Sequence, residues 1–288
     1  MNNIQNEILE IQVSQQGAEL QNIIKKSTHV EYLWQGDASH WGRRSPVLFP
    51  IVGGLKEGYY TYEDKKFELG QHGFARDMWF ELTEQKDDML TYTLKSSNQT
   101  QALFPFKFLL SIQYELIQNE LIVRYIVENT DSKSLLFSIG AHPAFNCPLF
   151  PNDQKSDYSV VFEANETQET QLLVSGTRSG ESSPILNEEK TLRISDDLFD
   201  QDALILSNLK SERISIHKGD SPLLTMEFKG FPYFGIWSKS ATSPFVCLEP
   251  WHGIADHIDH NHELAEKEGI ISLAPKETFQ TEYKLIVH

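Results

Sequence analysis

The chain has 288 residues, of which 40% are hydrophobic and 23% are charged, and its formal net charge is −16 at pH 7. Such a composition is ordinary for a folded globular protein, and its acidity argues against binding to nucleic acid or to an anionic membrane surface. Cys147 and Cys247 are the two cysteines, and neither a signal-peptide pattern nor a membrane-spanning run is present, so we expect a cytoplasmic protein with reduced thiols.

Short runs of alternating apolar and polar residues follow one another along the whole chain. Clear examples are residues 90–94, 108–116, 120–129, 158–162, 213–217 and 223–228. Alternation with period two, rich in β-branched and aromatic residues, predicts half-buried strands. Since no polar linker or internal repeat interrupts the pattern, we expect one all-β domain over residues 1–288. Its large antiparallel sheets should pack face to face.

Helical signals are few. Residues 256–259 and 262–269 each predict a short helical turn at most. The segment 177–189 is rich in Ser, Gly and Glu, which predicts an exposed loop.

The first candidate for chemistry is His72, which has Gly70 before it and Gly73 after it. Glycine beside a functional residue lets a ligand approach the backbone closely. Arg76 follows four residues later and could present its guanidinium fork on the same rim. The competing interpretations are a histidine in a surface turn and an ordinary salt-bridging arginine.

His142 follows an apolar run and Gly140, and Pro143 comes directly after it. Proline favours an extended conformation for the residue before it, so His142 should be held stiffly at the end of a strand. A rigidly held imidazole suits a general acid or base. A buried histidine bonded to the backbone would give the same pattern.

Glu249 closes the apolar run 244–248 and precedes Pro250 and Trp251. A buried carboxyl group has a raised pKa and is a better base at neutral pH, and the Trp251 ring offers a face on which a sugar can stack. A strand-end glutamate in water is the alternative. Asp202 stands just before another apolar strand, where it could accept hydrogen bonds from hydroxyl groups or simply occupy a turn.

The segment from His252 to Glu263 holds four histidines, two aspartates and a glutamate. Imidazole and carboxylate groups bind zinc or iron. The spacing does not match the two histidines one turn apart of a metalloprotease helix. A solvated loop is therefore favoured over a metal site for the segment from His252 to His262, and no metal is predicted.

Taken in order, these motifs resemble those of the aldose 1-epimerase (galactose mutarotase) superfamily, and within it the LacX-like branch. The matching stretches are residues 17–20, 45–53, 72–76, 142–145, 202–204, 231–237 and 249–251. The resemblance implies an all-β, galactose mutarotase-like fold, which is a large antiparallel β-supersandwich with few short helices. That expectation agrees with the strand pattern.

The resemblance also implies a reaction, the interconversion of the α and β anomers of a hexose, with a role in carbohydrate and galactose metabolism. Glu249 would be the general base that takes the proton from the anomeric hydroxyl. His142 would be the general acid that protonates the ring oxygen. His72 would hold that oxygen or a neighbouring hydroxyl, and Asp202 would bind sugar hydroxyls. A small sugar would be the partner of a monomer or homodimer, and no cofactor is required.

The chain departs from the well-characterised galactose mutarotases around the first histidine. Those enzymes carry an Asn-Arg pair before a His-Gly-Gly run, whereas residues 53–58 lack such a pair and Phe74 follows Gly73 here. Hexose-6-phosphate mutarotases of the same superfamily use arginines in this region.

Arg43, Arg44 and Arg76 could bind a phosphate in this way, since arginine suits bidentate phosphate recognition. A free hexose is favoured over a sugar phosphate. A non-catalytic sugar-binding protein on the same fold is the third hypothesis.

Overall fold

The computed structural model describes all 288 residues, and strands account for most of its regular structure. The first strands are β1 (Asn2–Gln5), β2 (Leu9–Val13), β3 (Leu20–Lys25), β4 (Val30–Glu31), β5 (Val47–Leu48), β6 (Tyr59–Tyr62), β7 (Lys65–Glu68) and β8 (Glu81–Gln85). Next come β9 (Met89–Lys95), β10 (Phe108–Ile117), β11 (Glu120–Asn129), β12 (Leu135–Phe137), β13 (Ile139–Ala141), β14 (Ala144–Asn146), β15 (Tyr158–Val174) and β16 (Thr177–Arg193).

The remaining strands are β17 (Leu204–Ser207), β18 (Arg213–Lys218), β19 (Ser221–Glu227), β20 (Tyr233–Trp237), β21 (Phe245–His252), β22 (Ile271–Leu273) and β23 (Thr278–Val287). Helices are short, namely α1 (Asn98–Leu103) and four 3₁₀ turns at Lys56–Gly58, Ala75–Asp77, Lys155–Asp157 and Leu264–Glu266. None of these helices has the length and apolarity that crossing a lipid bilayer requires.

Two antiparallel sheets dominate the fold. The larger has nine strands in the order β16-β15-β18-β19-β23-β11-β10-β9-β8. The second runs β17-β20-β21-β13-β5, with β14 also paired to β21, and a separate four-stranded sheet contains β1 to β4. The prediction of an all-β fold of large antiparallel sheets with few helices is confirmed.

The larger sheet buries one face, as the alternating sequence predicts. Along β10 every second residue is buried, from Phe108 to Leu116, while most residues between them are partly exposed. Successive side chains of a strand point to opposite faces, so this pattern places one face on the core. These buried side chains belong to a cluster of 63 buried hydrophobic residues that runs from Ile4 to Val287.

The second sheet uses both of its faces, and β21 shows how. Val246 and Leu248 belong to the main hydrophobic cluster, whereas Cys247 and Trp251 belong to two small separate clusters. Because side chains alternate, Glu249 shares the face of Cys247 and Trp251. The second sheet therefore closes the core with one face and carries candidate functional groups on the other.

The prediction of an exposed loop at residues 177–189 is wrong, because this segment lies within β16. It pairs antiparallel with β15 through several register shifts. Most side chains of β16 are exposed. The strand therefore has the polar composition that is typical of a loop. The helical turn expected at residues 256–259 is also absent, and residues 262–269 contain only the 3₁₀ turn Leu264–Glu266.

A buried ion pair anchors the histidine-rich segment to the fold. Lys267 Nζ donates to Asp256 Oδ1 at 2.8 Å and to the carbonyl oxygen of Ile254 at 2.6 Å. Both charged side chains are only 1% exposed. The second carboxylate oxygen of Asp256 accepts the backbone N–H of Lys56 at 2.9 Å. All oxygens of this carboxylate are therefore bonded.

Replacing Lys267 with methionine should destabilise the protein strongly, because the Asp256 carboxylate would remain buried without its cation. We expect Lys267→Met to lower the free energy of unfolding by about 3–5 kcal/mol, measured by urea denaturation. Lys229→Met is the matched control, since Lys229 pairs with Glu212 at an exposed site and should have little effect. Equal losses in the two variants would contradict this account.

Candidate active site

His142 and Glu249 face each other because of strand register. The strands β13 and β14 both pair with β21, and they do so in the same register on either side of His142. Continued through the intervening turn, that register places His142 opposite Glu249. The His142 Nε2 atom lies 3.3 Å from Glu249 Oε2.

Burial sets the protonation of this pair. The Glu249 side chain is 1% exposed and that of His142 is 10% exposed. Burial raises the pKa of Glu249 well above its usual value, an effect that the Trp251 indole opposes and the Asp202 carboxylate increases. Burial also lowers the pKa of His142 to about 3.

Both shifts favour uncharged groups, so at neutral pH the pair holds one proton. The short contact between the two side chains lets either group carry that proton, and the pair titrates as a unit. Concerted acid and base catalysis requires one group that can donate a proton and a neighbouring group that can accept one, and a pair that shares one proton meets this requirement.

His72 occupies a tight turn beside this pair. Its φ is +66° and that of Gly73 is +72°. A side chain at position 73 would clash, because a Cβ there would lie 2.3 Å from the carbonyl oxygen of Phe49. The His72 Nδ1 atom accepts the Gly53 N–H at 3.1 Å, so Nε2 carries the proton and is the ring nitrogen left to donate to a ligand. The His72 and His142 rings meet edge to face at 5.6 Å between centroids.

Two tryptophans fix the plane of the His142 ring. Trp41 stacks on it at 4.8 Å between centroids and 25° between planes, and Trp237 meets it edge-on at 5.5 Å. The His142 Nδ1 atom is buried without a hydrogen-bond partner, so ring contacts rather than a second hydrogen bond orient the imidazole. Neither tryptophan is predicted from the sequence to have a functional role. Trp237 ends a stretch that carried the family resemblance, whereas Trp41 had no local signal.

Trp251 lies flat against the backbone of its two neighbouring strands. A Cβ at Gly235 would lie 2.4 Å from the Trp251 ring, and a Cβ at Gly140 would lie 2.7 Å from it. These two glycines therefore make the space that the indole fills. Trp251 is 5% exposed and forms part of the floor beside Glu249.

These groups open on one cleft of about 420 Å³, a volume typical of a small-molecule site. All seven residues named from the sequence as catalytic or substrate-binding line it, namely His72, His142, Glu249, Arg43, Arg76, Asp202 and Trp251. The structure adds Trp41, Trp237 and Lys239 to them. The cleft thus gathers residues from segments that are far apart in the chain.

One end of the cleft is cationic. Arg43 pairs with Asp77 at 2.8 Å, and Arg76 Nε lies 3.9 Å from the other oxygen of the same carboxylate. Arg76 also donates to the carbonyl oxygen of Gln71 at 2.8 Å. Lys239 reaches the cleft from a different segment.

Arg44 does not reach this cleft, and its inclusion among the phosphate-binding candidates was wrong. Its guanidinium donates to Gln35 Oε1 at 3.1 Å and to the carbonyl oxygen of Gln21. Arg43 lines the cleft, whereas Arg44 packs toward the four-stranded sheet that contains Gln21.

Asp202 lies at the lip of the cleft. It is exposed, has a φ of +79°, and accepts the Ala203 N–H through Oδ1 at 2.8 Å. The positive φ is tolerated by aspartate in turns. The second carboxylate oxygen stays available to a ligand.

The histidine-rich segment directs its imidazoles to local partners. His257 Nδ1 accepts the Asp259 N–H at 3.1 Å. The His262 ring stacks on Tyr59 at 4.1 Å between centroids and 7° between planes. These contacts are those of a structural loop.

Comparison with known proteins gives one family. A model of the family "Aldose 1-epimerase" matches residues 2–272. The chain is similar to the chromosomal protein LacX of Lactococcus lactis subsp. lactis, with 32% identity over 99% of this chain and 98% of that protein.

Two solved structures are also similar to the chain. One is a galactose mutarotase related enzyme from Lactobacillus acidophilus, with a TM-score of 0.95 and 34% identity over 100% of this chain and 97% of that one. The other is a galactose mutarotase-like protein from Lactobacillus casei ATCC 334, with a TM-score of 0.93, 31% identity and full coverage of both chains (100% and 100%).

The protonation of His142 can be tested directly by NMR of the ¹⁵N-labelled imidazole. Because burial lowers its pKa to about 3, we expect His142 to stay neutral as the pH falls from about 8 to about 5. An unperturbed imidazole would become half charged near pH ~6.5 over the same range. The His142 signals are identified by their loss in His142→Gln, and a midpoint near that ordinary value would contradict the account.

Proposed function

The chain belongs to the aldose 1-epimerase family, and from that premise we propose that it interconverts the α and β anomers of a hexose, with Glu249 as general base and His142 as general acid. The observation that carries the proposal is the 3.3 Å contact between Glu249 Oε2 and His142 Nε2. A buried pair that holds one proton can accept a proton at one atom and donate one at another.

The proposed reaction conserves both protons and charge. The reacting form of the pair has its shared proton on His142 Nε2 and an ionised Glu249, a proton shift that the 3.3 Å contact allows. From that form Glu249 takes the proton of the anomeric hydroxyl while His142 gives its proton to the ring oxygen, so the bond between C1 and that oxygen breaks and a carbonyl forms. Rotation of the carbonyl followed by the reverse proton transfers closes the ring with the opposite configuration. The pair begins and ends each half-reaction with one proton, so its net charge in the low-dielectric cleft does not change.

Other groups of the cleft suit the binding of a sugar. The His72 Nε2–H would donate to the ring oxygen or a neighbouring hydroxyl, because Nδ1 already accepts from the backbone. Asp202 would accept from hydroxyls at the lip. Trp251 would present an apolar face to the ring, as aromatic side chains with one exposed surface commonly do.

A hexose 6-phosphate is the second candidate, and the cationic end of the cleft favours it. Arg43 and Arg76 lie together there beside Asp77, and Lys239 also lines the cleft. A phosphate group there would gain charge-assisted hydrogen bonds. We rank the free hexose first because Asp77 already contacts both guanidinium groups, at 2.8 Å and 3.9 Å.

Loss of the Glu249 carboxylate should remove the acceleration of mutarotation. We expect Glu249→Gln to be slower than the wild type by about 10²–10⁴-fold, the usual contribution of a general acid or base. Polarimetry of freshly dissolved α-glucose and α-galactose, and NMR of their 6-phosphates, would measure the rates. Glu166→Gln is the matched control, because Glu166 is also fully buried but bonds Ser211 away from the cleft.

A wild type no faster than Glu249→Gln on every one of these sugars would overturn the proposal. Saturable sugar binding without acceleration, equal in both proteins, would identify a non-catalytic sugar-binding protein instead. A slow Glu166→Gln variant would show that the effect of Glu249→Gln reflects lost stability.

The choice between hexose and hexose 6-phosphate depends on the arginines. If a phosphate binds at the cationic end, Arg43→Gln and Arg76→Gln should each raise KM for the phosphorylated sugar about tenfold or more, since each removes a charged hydrogen bond. KM for the free sugar should change little. Arg44→Gln is the control, because Arg44 lies outside the cleft. Equal effects on both sugars would remove the phosphate hypothesis.

A further inference from the structure

Cys247 is a buried thiol beside the acid–base pair that the proposed reaction does not use. It precedes Glu249 by two residues on β21, so both side chains lie on the same face of the sheet. Ligand atoms of His142, Cys247 and Glu249 all lie within 4.8 Å of one another, and all three residues are buried. A nitrogen, a sulfur and a carboxylate oxygen therefore converge at one point.

This set has the chemistry of a zinc site. Zinc is bound tetrahedrally by thiolate, imidazole and carboxylate, and exchangeable sites use three protein ligands with a fourth position open. Nitrogen and oxygen ligands of one tetrahedral zinc ion are about 3.3–3.4 Å apart, given their bond lengths of about 2.0–2.1 Å. The corresponding atoms of His142 and Glu249 are 3.3 Å apart. The Cys247 sulfur lies within 4.8 Å of the other two ligand atoms, so it would have to approach them by about 1 Å at most.

An unpartnered atom points to the same place. Glu249 Oε2 is buried, and beyond its 3.3 Å contact with His142 Nε2 it has no hydrogen-bond partner. Buried carboxylate oxygens are normally bonded, so this one is available to a cation. The cleft lies on the open side of His142 and Glu249 and would supply the fourth ligand as water.

We propose that His142, Cys247 and Glu249 bind a zinc-class divalent ion and that the bound ion blocks the acid–base pair. On binding, the zinc–sulfur bond forms as the thiol S–H bond breaks, the proton shared by His142 and Glu249 leaves as both groups bind the ion, and the two protons pass to water. Magnesium, which prefers oxygen ligands, should not bind. The binding site stands on geometry alone, whereas the inhibition rests on the proposed function.

Zinc binding is tested by calorimetric titration of tag-free protein with zinc chloride. We expect one zinc per chain in the wild type and an affinity at least about tenfold lower in Cys247→Ser, because a hydroxyl is a poor zinc ligand. Cys147→Ser is the matched control, since Cys147 is the other buried thiol and belongs to the main core. It should bind zinc as the wild type does.

Two outcomes would overturn the site. One is no stoichiometric binding by the wild type, and the other is equal binding by Cys247→Ser, which would place the ion at surface histidines. Cobalt(II) gives a check that needs no variant. A thiolate-to-cobalt charge-transfer absorption is expected in the wild type, and its absence would also exclude Cys247 as a ligand.

Inhibition is measured separately. Zinc should slow mutarotation by the wild type and by Cys147→Ser, and a chelator should restore the rate. Cys247→Ser should require at least about tenfold more zinc for the same inhibition. If no mutarotation is found at all, the titration and the cobalt spectrum still decide the metal site, so the two proposals fail independently.

Discussion

The pairing of β21 with β13 and β14 is the constraint on which the rest of the site depends. Because both neighbours share one register, the turn between them must place His142 opposite Glu249. The alternation of β21 then gives Val246 and Leu248 to the core while Glu249 faces the cleft. A shift of one residue would exchange the two faces, so the hydrophobic core itself enforces the position of the carboxyl group.

Burial has two effects on this pair. It favours the uncharged forms, which leaves one proton for two groups, and apart from the contact between the two side chains it leaves Glu249 Oε2 and His142 Nδ1 without hydrogen-bond partners. Unsatisfied buried atoms reduce stability, and proteins keep them mainly where function requires them. The stacking of Trp41 and the packing of Trp251 hold the side chains in place without hydrogen bonds that would fix the proton on one atom.

The sequence predicted the strands, and it singled out residues that the structure gathers in one cleft, because both depend on local pattern. Period-two alternation identified β10, and the contexts of His142 and Glu249 singled them out before any register was known. The predictions that failed were those that depended on whether a side chain points into the cleft, the core or the solvent. Arg44 looked equivalent to Arg43 in sequence, but its guanidinium bonds Gln35 outside the cleft, and β16 resembled a loop because both of its faces are solvated over most of its length. Trp41 stacks on His142 only through tertiary contact, for which no local signal exists.

One wall of the cleft is held in place by buried polar groups. The β15–β16 hairpin contributes Leu173 near its tip, yet most of that hairpin is solvated. Its tip is held by Arg178, which is 5% exposed and donates to the carbonyl oxygen of Ala255 and to Glu268. The segment that contains Ala255 is in turn held in place by the buried ion pair between Lys267 and Asp256. Charged groups buried in this way require their partners to be in place, so the shape of the cleft is specified by a chain of obligatory contacts. The histidine-rich segment therefore shapes the cleft through its structural contacts rather than through its imidazoles.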